Sequence, residues 1–291
     1  MAEPAQRSPE DEPAPSARPA PPKTGGRSLT HAVATALVLL AAMTMVAVVG
    51  RLAFFVLVCV VVIAALFELL DAVARSGRKP VVSYALACGL LLLASAYRAE
   101  PPLVALTVGV TAFGSLVLAL RPGRGATPAS DAAWTVLGVV WIAGGGAAAT
   151  GILVGEPSGM ALLMAFIITA AADDIVAYFV GTRFGRRRMA PSISPAKSWE
   201  GFAGGLAGAL VAGALAGAVV PVLSPLHGLG LGAICGVAAP AGDLVESLAK
   251  RELGIKDSGR LLPGHGGFLD RLDGILFCAP AALAYLHLTL S

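Results

Sequence analysis

The sequence predicts an all-α, polytopic helical integral membrane protein with about nine transmembrane helices and a cytoplasmic N-terminus. Three observations carry that expectation. Of the 291 residues, 56% are apolar and only 13% are charged, against about 25% charged in a soluble domain. From residue 29 onward, apolar stretches alternate with short polar punctuation, and most approach the ~20 residues a helix needs to cross a ~30 Å hydrocarbon core. The basic residues then fall almost wholly on one side of the implied topology, as expected when cytoplasmic loops are positively biased.

Taken in order, residues 1–28 are rich in Pro, Ala, Ser, Arg and Glu and lack apolar periodicity. Such a segment cannot bury a core and is expected to be a disordered cytoplasmic tail. Its polar part is too long for a signal peptide. Spans are expected at 30–49, 52–70, 80–97, 103–120, 132–154, 159–181, 201–223, 228–249 and 274–290. Only Gly50 and Arg51 separate the first two, so one helix end there must be shorter than drawn. The spans divide into an N-terminal transmembrane group, 29–154, and a C-terminal region, 155–291, that holds most of the chemistry-bearing residues.

With the tail inside, the inner loops receive Arg75, Arg78, Lys79; Arg121, Arg124; Arg183, Arg186, Arg187, Arg188, Lys197; and Lys250, Arg251, Lys256, Arg260, Arg271. The outer loops receive only Arg51 and Arg98. Cys59, Cys88, Cys235 and Cys278 all lie in apolar stretches without a CxxC or Cys/His pattern, and read as small buried apolar residues. Gly201, Gly205, Gly232 and Gly236 fall in small-xxx-small spacing, which lets helices pack closely. No GxxxxGK[ST] or GxGxxG phosphate loop is present.

Charge gathers in two stretches. In 242–273, Asp243 and Glu246 stand three apart, on one helix face at the end of an apolar span. Ionisable groups there are expensive and therefore functional candidates. Asp270 and Asp273 repeat the spacing at the start of the last span, where carboxylates also suit the helix dipole. Oxygen-only ligands suit Mg²⁺, which binds through one or two carboxylates plus substrate phosphates. Lys250, Arg251, Lys256 and Arg260 lie between the acidic pairs and supply the charge that a triphosphate or lipid phosphate needs. Pro263, Gly264, Gly266 and Gly267 bracket His265, a loop whose backbone can approach a ligand closely. In 173–201, Asp173 and Asp174 point about 100° apart on a helix, so only one easily faces a given site. Ser194-Pro195 favours a turn that would hold Lys197.

At these residues the chain resembles the phosphatidate cytidylyltransferases (CDP-diacylglycerol synthases). The resemblance rests on Ser247, Lys250-Arg251, Lys256-Asp257, Leu262-Pro263-Gly264-His265-Gly266-Gly267, Asp270-Arg271 and Asp273. Gly242-Asp243-Leu244 and Ser194-Pro195-Ala196-Lys197-Ser198-Trp199-Glu200-Gly201 extend it. The matching positions span roughly 170–274; earlier, only the hydropathy and Glu68 resemble the family. Ile175 and Val176 follow Asp174 where that family carries a hydroxyl and a small residue, which leaves Asp173 as a rival to Asp174.

The resemblance implies CMP transfer from CTP to phosphatidate, giving CDP-diacylglycerol and pyrophosphate, with Mg²⁺ and room for a second cation such as K⁺. It implies Asp243 and Asp270, with Glu246 beside them, as metal ligands. Lys197, Lys256 and Arg271 are implied as phosphate contacts, and Asp257, His265 and Asp273 as catalytic loop residues. Asp174, Ser194, Ser247, Lys250, Arg251, Gly266 and Gly267 complete the implied substrate site. The expected partners are CTP, phosphatidate and membrane lipid, with no nucleic acid; a homodimer is left open. The basic, Ala/Gly-rich composition suggests a bacterial inner membrane, with the site facing the cytoplasm.

Four rivals remain, one of them a degraded relative that only binds lipid, against which the near-complete motif argues. A CTP-dependent, polyprenol-type lipid kinase would move the γ-phosphate. A cation-coupled transporter would use the intramembrane acids as a relay, although no matching charge set appears in the first half. A CDP-alcohol phosphotransferase pattern would need Ala-Arg after Asp273-Gly274, and it is absent.

Overall fold

Eight long helices and one two-stranded hairpin follow one another in the computed structural model, which describes residues 43, 45–121, 127–155, 158–255, 258–259 and 267–290. The helices are α1 (Arg51–Arg75), α2 (Val82–Tyr97), α3 (Pro101–Ala119), α4 (Pro128–Val154), α5 (Gly159–Phe184), α6 (Trp199–Val219), α7 (Pro225–Glu252) and α8 (Leu269–Leu290). The hairpin, β1 (Arg188–Ala190) and β2 (Ser194–Ser198), lies between α5 and α6. Among the described residues, seven helices are long and apolar enough to cross a membrane; α2, with 16 residues, is shorter. The protein is an all-α polytopic membrane protein, the small hairpin apart.

Eight of the nine expected spans coincide with these helices. The first, 30–49, falls mainly outside the described residues, as does the tail. The cramped junction after it is made by Gly50, whose φ of +131° is open to glycine and strained for other residues. α4 is a single span interrupted by a π-helical turn at Val139–Ala143.

Lipid exposure explains the outer surface. On α3, Leu106, Phe113 and Val117 are exposed, while the buried Thr107 and Thr111 turn inward. Both hydroxyls donate to the carbonyl four residues back, at 2.8 Å, which satisfies them within the helix itself; the hydroxyl of Ser115, one turn further on, is buried without a hydrogen-bond partner. The four cysteines are free, and Cys88, Cys235 and Cys278 are buried.

Glycine sets the closest helix crossings. At α6–α7, a Cβ on Gly213 would run into the Gly228 carbonyl, and one on Gly228 into that of Gly213. Gly232 stands against Ala209 of α6, Gly236 against Leu206, and Gly201 against Ala177 and Gly181 of α5. These are the backbone approaches that small-xxx-small spacing permits. The main core joins Leu66, Leu70 and Val73 of α1 to Leu92 and Leu93 of α2, Ile142 of α4, and Leu269 and Leu276 of α8. The start of α8 is therefore seated on the N-terminal helices.

Candidate active site

α7 and α8 bring the acidic pairs together. Gly242 packs against Asp273 and Gly274, and a Cβ there would stand 2.6 Å from Phe277 Cβ and 2.7 Å from the Asp273 carbonyl. Gly274 in turn meets Ala239 and Asp243. With no side chain in the way, the two helices touch beside their charged faces. The carboxyl of Asp273 lies next to those of Asp243 and Glu246, and that of Glu246 next to Asp270.

Two lysines are threaded into this cluster. Lys197 Nζ lies 2.5 Å from Asp243 Oδ2 and donates to the Pro240 carbonyl at 3.3 Å. Lys250 Nζ lies 2.8 Å from Glu246 Oε2 and 2.6 Å from Asp270 Oδ1. Asp270 Oδ2 also accepts the Gly267 N–H at 2.8 Å. Asp243, Glu246 and Lys250 share one face because they are spaced three and four apart.

Lys197 reaches Asp243 from β2, which corrects the expected turn at Ser194-Pro195. Those residues are strand, paired antiparallel as Arg188 with Ser198 and Ala190 with Ser194. Both strands of a two-stranded ribbon are edges, so the missing N–H of Pro195 need cost no ladder bond. The hairpin is tied at both ends. Glu200 accepts the Arg186 and Arg187 N–H groups at 3.0 and 3.1 Å, and Arg251 donates to the Ile193 carbonyl at 3.2 Å. Ser198 caps α6 by accepting the Gly201 N–H.

The neighbouring aspartates divide as helix geometry demands. Asp173 is fully buried against Gly205, and neither of its oxygens has a hydrogen-bond partner. Asp174 is exposed. Both lie within electrostatic reach of Asp243 and Lys197.

Ser194 and Ser247 are half-buried, whereas Arg251 and Arg271 are exposed. Lys256, Asp257, His265 and Gly266 lie outside the described residues. The sequence reading gave Glu68 no role. It is buried in α1, and its Oε2 accepts the Leu269 N–H at 3.2 Å, at the start of α8. Arg75 and Arg78 of the same region reach the Ser258 carbonyl and Glu252, each at 3.1 Å. The signal available was a lone acid inside an apolar span.

Chemically, the cluster has four carboxylates against two ammonium groups. Glu246 Oε1 is buried without a hydrogen-bond partner. Among the described residues, no three carboxylate, His or Cys groups are arranged to hold a metal by themselves. A hard divalent cation that takes one or two carboxylates and completes its shell with phosphate and water asks for less. The excess negative charge and the orphaned Glu246 oxygen fit such an ion.

The profile of the cytidylyltransferase family matches residues 30–289. A phosphatidate cytidylyltransferase of Mycobacterium bovis is 43% identical over 176 residues, covering 58% of this chain and 56% of the relative. One from Mycobacterium leprae is 41% identical over 160 residues, 55% of this chain and 50% of the relative. One from Brucella abortus is 37% identical over 193 residues, 62% of this chain and 64% of the relative. The chain thus spans about half to two thirds of the length of these relatives.

Proposed function

We propose that this chain, which belongs to the cytidylyltransferase family, transfers CMP from CTP to phosphatidate and releases pyrophosphate. The observation that carries the reading is the meeting of Asp243, Glu246, Asp270 and Asp273 with Lys197 and Lys250 at one helix crossing. The names of the Mycobacterium and Brucella relatives support the same substrates.

In this reading a phosphatidate oxygen attacks the α-phosphorus of CTP. The new P–O bond forms as the bond to pyrophosphate breaks, and the leaving group carries off the electron pair. The attacking oxygen is already ionised near neutral pH, so no strong base is required. The protein contributes alignment and charge neutralisation. Lys197 and Lys250 swing from carboxylate to phosphate, and Arg251 and Arg271 face the phosphates from the exposed side. Asp243 and Asp270, with Glu246, would hold Mg²⁺, and a second cation such as K⁺ would share the same negative cluster. The ion, when bound, neutralises phosphate charge. Lys256, Asp257, His265 and Gly266 complete the site.

The same reading has nine spans, an inside N-terminus, and a site facing the cytoplasm of a bacterial inner membrane. Fifteen basic residues in the inner loops against two in the outer loops support it.

The test supplies purified protein with phosphatidate, Mg²⁺ and CTP labelled on either the α- or the γ-phosphate. The α-label is expected in the lipid phase, with EDTA abolishing transfer. Movement of the γ-label instead identifies a kinase. If neither label moves in folded protein, the enzymatic reading is wrong.

A further inference from the structure

Glu68 of α1 reaches across to the start of α8 and to Gly259 and Gly267. It is 2% exposed, inside an apolar helix where an ionisable group is costly unless partnered. One hydrogen-bond partner lies 201 residues away in sequence. Its Oε2 accepts the Leu269 N–H, the first of α8. The opening N–H groups of a helix lack intrahelical acceptors, and Phe268, just before α8, has no side-chain oxygen to offer. Glu68 supplies that acceptor from α1, and its charge suits the positive end of the α8 dipole.

The same carboxylate is enclosed by glycine. A Cβ on Gly267 would stand 2.5 Å from Glu68 Oε2 and 3.0 Å from the Gly259 nitrogen, and a Cβ on Gly259 would run into Glu68 Oε1. Gly259 and Gly267 therefore approach each other, with the carboxylate packed against both. Ser258, next in line, has its carbonyl held by Arg75. On the other side, Gly267 donates its N–H to Asp270 Oδ2, and Asp270 Oδ1 meets Lys250. The backbone N–H that Glu68 holds belongs to the residue immediately before the carboxylate that meets Lys250.

We propose that Glu68 is a positioning residue: it caps α8 and fixes the Gly259–Gly267 approach, so that Asp270 is held in register with Lys250. The proposal rests on the CMP-transfer reading for its effect on turnover, but not for its effect on structure. It assigns α1 a part in the active site although the chemistry-bearing motifs lie elsewhere. It also explains why residues 259 and 267 are glycine.

The test uses full-length purified protein with Glu68→Ala and Glu68→Gln. Loss of alignment lowers kcat by about 100-fold in the Ala variant, with KM for CTP nearly unchanged. The Gln variant, which keeps an acceptor oxygen for Leu269, recovers part of it. The activity-independent readout is Ser258→Cys, at a site 2% exposed, treated with a membrane-impermeant maleimide. Labelling is slow with Glu68 present and several-fold faster with Ala, as local opening becomes easier. If the intact protein moves no CMP, the functional reading fails, and the labelling rate alone judges Glu68. Should the Ala variant not fold, labelling in the Gln background decides. Labelling at the parent rate, or kcat and KM equal to those of the parent enzyme, overturns the proposal.

Discussion

Replacing Lys250 with methionine removes the cation between Glu246 and Asp270 and keeps most of its stem. Lys250 Nζ is 2.8 Å from one carboxylate and 2.6 Å from the other, with side-chain exposures of 17% for Lys250, 4% for Glu246 and 17% for Asp270. An exposed ion pair is worth about 0–1 kcal/mol. Breaking a largely buried one from one side costs about 3–5 kcal/mol, because the remaining charge is left uncompensated. In a domain of comparable size each kcal/mol moves Tm by roughly 2–4 °C, so Lys250→Met should lower Tm by about 6–20 °C. The control is Arg98→Met, whose partner Glu100 is 48% exposed and whose own side chain is 71% exposed; its cost stays below about 1 kcal/mol. Both are read as thermal melts of purified protein in one detergent at one scan rate. Adding Glu246→Gln and Asp270→Asn to Lys250→Met should recover much of the loss, since the two carboxylates that Lys250 had compensated then carry no charge. Equal shifts for Lys250→Met and Arg98→Met would refute the burial argument.

Two further outcomes follow from the same geometry. Gly213→Ala pushes α6 from α7 by driving a methyl into the Gly228 carbonyl and costs about 1–3 kcal/mol; Gly109→Ala, with nothing within 4 Å, gains about 0.5–1 kcal/mol from the lost glycine entropy, and melts of the two variants check the contrast. Mg²⁺ at a hundred times its Kd stabilises the intact protein by about 2.7 kcal/mol and so raises its Tm, and leaves the melt of an Asp243→Asn, Asp270→Asn variant unmoved; equal stabilisation of both would remove these carboxylates as ligands.

Much of the fold was legible because a bilayer imposes one length and one polarity on every span. The α7 and α8 acids stood out for the same reason, since Asp243, Glu246, Asp270 and Asp273 interrupt apolar helices at helical spacing. What the sequence left unresolved depends on contacts far apart in the chain. Asp173 and Asp174 differ by one helical step, and only the position of Gly205 distinguishes the buried one. Glu68 looks like an isolated acid until Gly259, Gly267 and Leu269 are brought beside it. The strand at Ser194–Ser198 was hidden because proline usually signals a turn, and an edge position removes that objection. The i, i+4 pairing of Lys250 with Glu246 was open to the eye, but its reach to Asp270 depends on the glycine contact between α7 and α8.

The most direct test compares Asp270→Asn with the intact protein for α-label transfer from CTP to phosphatidate, at matched thermal stability and saturating Mg²⁺. Turnover lower by about 100-fold or more is expected if this carboxylate aligns the reacting phosphates. Near-normal turnover in well-folded protein would contradict the assignment of the α7–α8 crossing as the reaction centre.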